Sequence, residues 1–234
     1  MGEHLTIADS KRAFHSAFPH VIPSLYRRTA DELLVELHLL SHQKQFKVDA
    51  LFAVGLRQVF DAFTRGYRPE AHLEPLFSAL CSCNGFDAAA LNQLAHDSEL
   101  AVQGHSVEDV QQWLRNKGSG APDAMAKVLE RADDANFHYS RLMAVGLLTL
   151  LAKAQGAEGS NPSELAKVAH DLSEPLGLTK ERVEKDLSLY TGNLERMAQA
   201  VELMEETLAA ERRKRERQND ASAMQETPAE TVTN

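Results

Sequence analysis

His38 and His42 stand four residues apart, a spacing that sets two imidazoles on one helix face within reach of a single metal ion. A zinc site needs at least a third protein ligand, and nothing beside the pair supplies one. The intervening glutamate pattern of metalloproteases is also missing, so the pair reads as boundary histidines. Cys81 and Cys83 flank Ser82, a spacing that fits neither a disulfide framework nor a usual zinc pair. Two positions apart on a helix they point in different directions, which predicts one buried, inert thiol and one near the helix end. The third group is the run Glu211-Arg-Arg-Lys-Arg-Glu-Arg217. It can be a solvated helix end, where cations suit the negative end of the dipole. Equally it can meet anionic lipid headgroups or an acidic partner, with roughly 1 kcal/mol per cation near such a surface. No glycine-rich phosphate loop, no paired acid–base carboxylates and no nucleophile motif accompany these groups. The expectation is a protein that is not an enzyme, with no catalytic residues, no cofactor and no metal.

Composition narrows the class further. A chain of 234 residues is long enough for one substantial core, and its formal net charge of -9 argues against general nucleic-acid binding, which positive charge dominates. A nucleic-acid-binding regulator using the basic C-terminal helix remains the alternative reading. Two cysteines one residue apart fit a reducing compartment. No run reaches the roughly 18–20 apolar residues of a membrane span, and Leu142 to Ala152, the most apolar stretch, is bounded by Arg141 and Lys153. No signal or transit peptide is expected from the first residues. Met1-Gly-Glu-His-Leu-Thr6 fits the loose myristoylation pattern, a weakly specific match on which nothing rests.

The elements that would position these groups are all helical. Asp9 is expected to cap a short helix carrying Ala13, Phe14, Ala17 and Phe18, ended by Pro19. Pro23 is expected as the first residue of a long helix through His42, whose apolar positions Tyr26, Ala30, Leu33, Leu34, Leu37 and Leu40 are joined by Val35 and Leu39 on the other side. A helix apolar nearly all round belongs inside a bundle, and Asp49 to Gly66 reads as its partner. That second helix carries Arg57, Asp61 and Arg65 at steps of four, an ion-pair ladder worth a few tenths of a kcal/mol. Further helices are predicted from Pro69 to Cys83, from Asp87 with Leu91, Leu94 and Leu100 inward, and from Ser106 with Val110, Trp113 and Leu114. Asn116 to Pro122 reads as a flexible connection. Asp123 to Gln155 is helical, with a break near Asp133 to Asn136. A loop at Gly156 to Pro162 precedes a helix through Leu165, Val168 and Leu172. No period-two stretch and no repeat at fixed spacing is found. The fold class is all-α: a single helical bundle at 1–178, a long coiled-coil-like helix at 179–217 that packs on it and projects, and a disordered tail at 218–234.

That last helix carries a heptad seam of Val183, Leu187, Tyr190, Leu194, Met197, Val201, Met204 and Leu208. Gly192 lies inside it at a cost of about 1 kcal/mol. Its inner part is expected to dock on the bundle, because a lone helix does not hold an apolar seam in water. Its outer part, Val201, Met204 and Leu208 followed by Arg212, Arg213, Lys214, Arg215 and Arg217, is the candidate partner or membrane contact. Pairing with a second copy through this helix is the other use of the same seam.

Several phrases of the chain together resemble the Thylakoid Formation protein family, or photosystem II biogenesis factors, of cyanobacteria and plastids. They include Asp9-Ser-Lys-Arg-Ala-Phe14, Phe18-Pro-His-Val-Ile-Pro23, Asp31-Glu-Leu-Leu-Val-Glu-Leu-His-Leu-Leu40, Leu51-Phe-Ala-Val-Gly-Leu56, Gly66-Tyr-Arg-Pro69, Tyr139-Ser-Arg-Leu-Met-Ala-Val-Gly-Leu147 and Asp186-Leu-Ser-Leu-Tyr-Thr-Gly-Asn-Leu-Glu-Arg-Met197. The resemblance spans about residues 6–205 and is taken to stop short of the basic run. It implies an all-helical, non-enzymatic accessory protein of cyanobacterial type, cytoplasmic and peripherally associated with the thylakoid membrane. It further implies support of FtsH-type membrane protease complexes that clear damaged photosystem II subunits. The family has no catalytic residues to carry over.

Overall fold

Two helices with almost no solvent-facing side cross at the centre of the structure. In the computed structural model, α3 (Ala50–Phe63) buries every residue from Ala50 to Leu56, together with Val59 and Phe60. Its counterpart α8 (Arg141–Ala154) buries Leu142 to Leu147, Thr149 to Leu151, and Ala154. The crossing is made by glycine. A β-carbon at Gly55 would overlap the carbonyl of Leu142 and stand 2.9 Å from the Gly146 nitrogen, and one at Gly146 would overlap the carbonyl of Leu51. Each glycine thus faces the residue four positions before the other, a reciprocal arrangement with local two-fold character. The sequence carries it as a near-repeat: Leu51-Phe-Ala-Val-Gly-Leu56 and Leu142-Met-Ala-Val-Gly-Leu147 differ only at Phe52 and Met143.

The structure describes residues 5–116, 118–132, 138–154 and 162–225, among which there is no strand. Around α3 and α8 stand α1 (Ile7–Ala17), α2 (Ser24–Ser41), α4 (Leu73–Ser82), α5 (Ala88–Val102), α6 (Val107–Arg115), α7 (Asp123–Ala132), α9 (Pro162–Ser173) and α10 (Lys180–Gln225), with short 3-10 turns at Glu70–His72 and Glu174–Leu176. The all-α reading holds.

Local chemistry sets where these helices start. Asp49 caps α3 by accepting from the Phe52 N–H at 2.7 Å, and Asp87 caps α5 by accepting from Ala89 and Ala90 at 2.9 and 3.1 Å. Ser106 and Asp109 form a reciprocal capping box, with Ser106 N–H donating to Asp109 at 2.8 Å and Asp109 N–H to the Ser106 hydroxyl at 3.1 Å. The first helix departs from expectation. Its cap is Thr6, and Asp9 is the third helical residue, returning a hydrogen bond to Thr6 in a second capping box. Thr-x-x-Asp carries this signature with the shorter acid, so the helix is capped at Thr6 and not at Asp9. Pro23 occupies the cap position of α2 itself, one residue before the first helical turn. Gly177 ends the turn after α9 in the left-handed region, at φ 67°.

Packing differs from the sequence reading in three places. The closest backbone neighbours of α2 are α4 and α1, whereas α3 lies against α8, α5 and α7. The glycine pair lets the backbones of α3 and α8 approach where a β-carbon would overlap. Leu39 is 54% exposed, so α2 keeps a solvent side, although Leu33, Leu34, Leu37 and Leu40 are buried as expected. In α5, Leu91 is buried, Leu94 is half-buried and Leu100 faces solvent; Ala95, Ser98 and Val102 complete its inner face.

The expected ladder on α3 is an inter-helix knot. Arg57 pairs with Asp61 at 2.8 Å and reaches across to Glu74 of α4 at 2.8 Å. Its guanidinium lies 5.0 Å from the Phe77 ring centre and 5.6 Å from that of Phe60. Burial opposes the charged form, but hydrogen bonds to Asp61 and Glu74 outweigh it and hold the Arg57 pKa above its ordinary value. The Arg65 carbonyl, rather than its side chain, takes part nearby, accepting from the Tyr26 hydroxyl at 3.1 Å.

The chain divides into two compact units, Met1–Leu194 and Glu195–Asn234, with the boundary inside α10. The helix also continues past Arg217 to Gln225. No glycine or proline interrupts 218–225, and the first proline beyond is Pro228. The rest of the expected tail, 226–234, lies outside the described residues, as do the expected break at 133–136 and the loop at 156–161; α7 and α8 are separate helices on either side of the first.

Candidate partner-binding site on the terminal helix

The base of α10 is held by the bundle that precedes it. The Thr179 carbonyl accepts the first helical N–H groups, those of Arg182 and Val183, both at 3.0 Å. Val183 and Leu187 are buried. Tyr190 meets Phe63 edge-on at 6.1 Å between ring centres and accepts from the Gln58 amide at 3.5 Å. A polar tether reinforces this seam. The Tyr139 hydroxyl donates to Asp186 at 2.8 Å, and the Arg182 guanidinium lies 5.2 Å from the centre of the Tyr139 ring. Burial, then the hydrogen bond to Asp186, push the Tyr139 phenol far above its usual pKa, so it stays a donor at any physiological pH. The neighbouring Arg141 grips Glu36 of α2 at 2.6 Å, and Ser140 donates to the other oxygen of Glu36 at 3.4 Å. Tyr139-Ser-Arg141 thereby ties α2, α8 and the base of α10 together. The phrase was legible as a signature, but its pairing with Glu36 and Asp186 spans 105 and 47 residues and leaves no local signal.

Beyond Leu194 the helix changes character. Met197 and Val201 are buried, Met204 is half-buried and Leu208 is 48% exposed. Of the three apolar candidates, Leu208 and part of Met204 are therefore accessible, and Val201 is not. Arg212, Arg213, Lys214, Arg215 and Arg217 are all exposed. Arg213, Lys214 and Arg217 share one side of the helix with Ala210 and Gln218, while Arg212 and Arg215 continue the line of Leu208 at steps of four and seven. Leu203, 65% exposed, was missed because it lies off the heptad seam. The arrangement offers apolar bulk next to concentrated positive charge, with Glu202, Glu205 and Glu206 exposed one to two turns earlier. It is suited to recognition.

The other candidate groups are structural. His38 is buried and its Nδ1 lies 2.9 Å from the Ser10 hydroxyl, while His42 Nδ1 lies 2.8 Å from the His38 carbonyl. Among the described residues no three His, Cys, Asp or Glu side chains are grouped to hold a metal ion. Cys81 is buried in α4, and Cys83 is half-buried at its end. Burial pushes the Cys81 thiol up to about 12 and the Cys83 thiol up to about 11, so neither is a ready nucleophile at neutral pH. No helix among the described residues is long and apolar enough to cross a membrane.

The Thylakoid formation protein family model matches residues 6–219, a span that runs past the limit near residue 205 and takes in Arg212 to Arg217. Protein Thf1 of Prochlorococcus marinus (strain MIT 9313) is 63% identical over 222 residues, covering 94% of this chain and 91% of that one. Protein Thf1 of Parasynechococcus marenigrum (strain WH8102) is 55% identical over 217 residues, covering 93% and 95%. A solved structure of Psb29 at 1.55 Å superposes with a TM-score of 0.78 at 35% identity, covering 90% of this chain and 98% of the other.

Proposed function

The chain belongs to the Thylakoid formation protein family, and from that premise we propose that it is a non-enzymatic accessory protein of thylakoid biogenesis and photosystem II assembly and repair. It acts by supporting FtsH-type membrane protease complexes. It works from the cytoplasmic side as a peripheral partner of the thylakoid membrane, and the contact is made by the outer part of α10. Leu208 and Met204 supply apolar area, and Arg212, Arg213, Lys214, Arg215 and Arg217 orient the helix toward acidic groups of the partner or toward anionic headgroups. The observation that supports this reading is the extent of the family match, which runs to residue 219 and so takes in the basic run.

The test is a pull-down from solubilised thylakoid membranes, read by mass spectrometry, with the full chain and with a chain truncated after Ala200. The full chain is expected to retain FtsH subunits, and the truncated chain to stay folded and lose them. Absence of FtsH from the full-chain fraction overturns the functional reading. Retention by the truncated chain moves the contact surface to the bundle, and loss of a dimer without loss of FtsH assigns the outer helix to self-association.

A further inference from the structure

Helix α1 is short, and an 11-residue helix does not persist in water without tertiary support. Its support is apolar at Phe14 and Phe18, both buried, and polar through an exposed Lys11–Asp31 ion pair to α2 and through contacts with imidazoles. At its amino-terminal half, the hydroxyl of Ser10, itself buried, meets Nδ1 of His38 at 2.9 Å. His38 is only 7% exposed, and the ring of His42 lies 4.3 Å from it, centre to centre. At its exit, His20 stacks on His72 at 3.9 Å with their planes 19° apart, and Phe18 stands edge-on to both, at 5.1 and 5.9 Å. The Nδ1 atom of His72 is buried without a hydrogen-bond partner. Two histidine pairs, one at each end, therefore fasten the same helix.

We propose that α1 is a proton-sensitive latch, released from α2 and α4 when His38/His42 and His20/His72 take up protons. Protonating His38 places a charge in a site that water barely reaches, beside a second imidazole that repels it. The neighbouring acid cannot compensate. The titratable groups around His38 are His42 on its own helix and Asp9 on α1, and Asp9 is already committed to the Thr6 N–H at 2.9 Å, the Thr6 hydroxyl at 2.6 Å and Arg12. The remaining nearby α1 cation, Lys11, is occupied by Asp31 at 3.6 Å. At the other pair, the carboxylates in the same turn and the next are taken as well, Glu70 by Arg68 and Glu74 by Arg57. Double protonation of rings stacked at 3.9 Å then sets two like charges in contact.

The sign follows from burial, which lowers the His38 pKa first, with the adjacent His42 adding to it. A depressed folded-state value means that the contribution is fully present above the unfolded pKa, about 6.5, and is lost as pH falls from there through the folded value. Release uncovers Phe14, Phe18 and the faces of α2 and α4 beneath them. It does not reach α3 and α8, whose contact contains no imidazole.

Hydrogen–deuterium exchange on the full chain at about pH 8 and about pH 5.5, corrected for intrinsic rates, tests this. The α1 amides are expected to lose at least about tenfold in protection at the lower pH while α3 and α8 hold theirs. His38→Gln keeps a hydrogen-bonding partner for Ser10 without a titrating ring, and should cut that loss to about threefold or less. His72→Phe keeps a ring against Phe18 and His20 and should do the same for the exit, which covers the case in which His38→Gln fails to fold. Protection of α1 that changes less than about twofold overturns the latch, as does uniform loss across α1, α3 and α8, or a pH response unaltered in whichever variant folds.

Discussion

Gly55 and Gly192 both lie in helix interiors, where glycine costs about 1 kcal/mol relative to alanine, yet the molecule uses them in opposite ways. Opposite Gly55 stand the Leu142 carbonyl and the Gly146 nitrogen, and the same closeness recurs from Gly146 to Leu51. Opposite Gly192 there is nothing within 4 Å. In the first case the propensity cost is offset by dispersion between two backbones that no side chain holds apart. In the second it is uncompensated, and it falls just before the point where the compact bundle unit ends, at Leu194. A glycine in a helix is thus informative only together with what faces it.

The largest effect should come from breaking the crossing. Gly55→Ala and Gly146→Ala each force the backbones of α3 and α8 apart, and each should cost about 3 kcal/mol, the upper end of ordinary overpacking. For a chain of this size that lowers Tm by about 6–12 °C. The double substitution should cost clearly less than the sum, because helices already separated by one methyl admit the second. Urea unfolding followed by Trp113, the only tryptophan and a buried one, measures all three. Additive costs would show that the two glycines do not share one contact.

Much of this contrast was readable from the chain and some was not. Helix existence followed from apolar periodicity and from caps such as Asp49 and Asp87, which act within four residues of sequence. The core of α2 was legible for the same reason. Its partner was not: the sequence marks α3 as apolar, but the preference for α8 rests on two glycines 91 positions apart, and only their shared Leu-x-Ala-Val-Gly-Leu frame hints at it. The heptad stripe of α10 was legible residue by residue. Where it passes from buried to open was not, because Val201 and Leu208 look alike in sequence although the first is buried and the second is 48% exposed. Arg57 looked like a surface cation because Asp61 sits four residues on, while Glu74 and the Phe77 ring arrive from another helix.

A middle-sized effect tests the fastening of the base of α10. Tyr139→Phe removes the donor to Asp186 and leaves a half-buried carboxylate short of a partner, at a cost of about 1.5 kcal/mol. The same Trp113-detected unfolding measures it, and exchange should rise near Asp186 before it rises at Gly55. A Tyr139→Phe protein as stable as the parent would mean that the apolar seam alone anchors the helix. Gly192→Ala should move the other way. The added methyl enters open space and gains helix propensity, raising stability by about 1 kcal/mol. Unchanged or lowered stability would show that the helix needs its freedom at that residue.

The smallest expected change in stability comes from the outer helix, and it completes the contrast. Leu208 is 48% exposed, so Leu208→Ser should leave unfolding within about 0.5 kcal/mol of the parent, the range of ordinary surface substitutions. Binding should respond where stability does not. On the proposed function Leu208 supplies apolar area that partner contact would cover, so the variant should recover several-fold less FtsH from solubilised thylakoid membranes. Reversing Arg213, Lys214 and Arg217 to glutamate removes cations worth roughly 1 kcal/mol each against an acidic surface, and this loss alone should shrink as salt is raised, because exposed charges more than about 8–10 Å apart are screened at physiological ionic strength and above. The Leu208→Ser defect should persist at the same salt, since burial of apolar surface does not depend on screening. Gly55→Ala, measured below its own melting range, should bind like the parent. If the core variant loses the partner while Leu208→Ser and the charge reversal keep it, the contact surface belongs to the bundle and the exposed end of α10 is only a solvated helix.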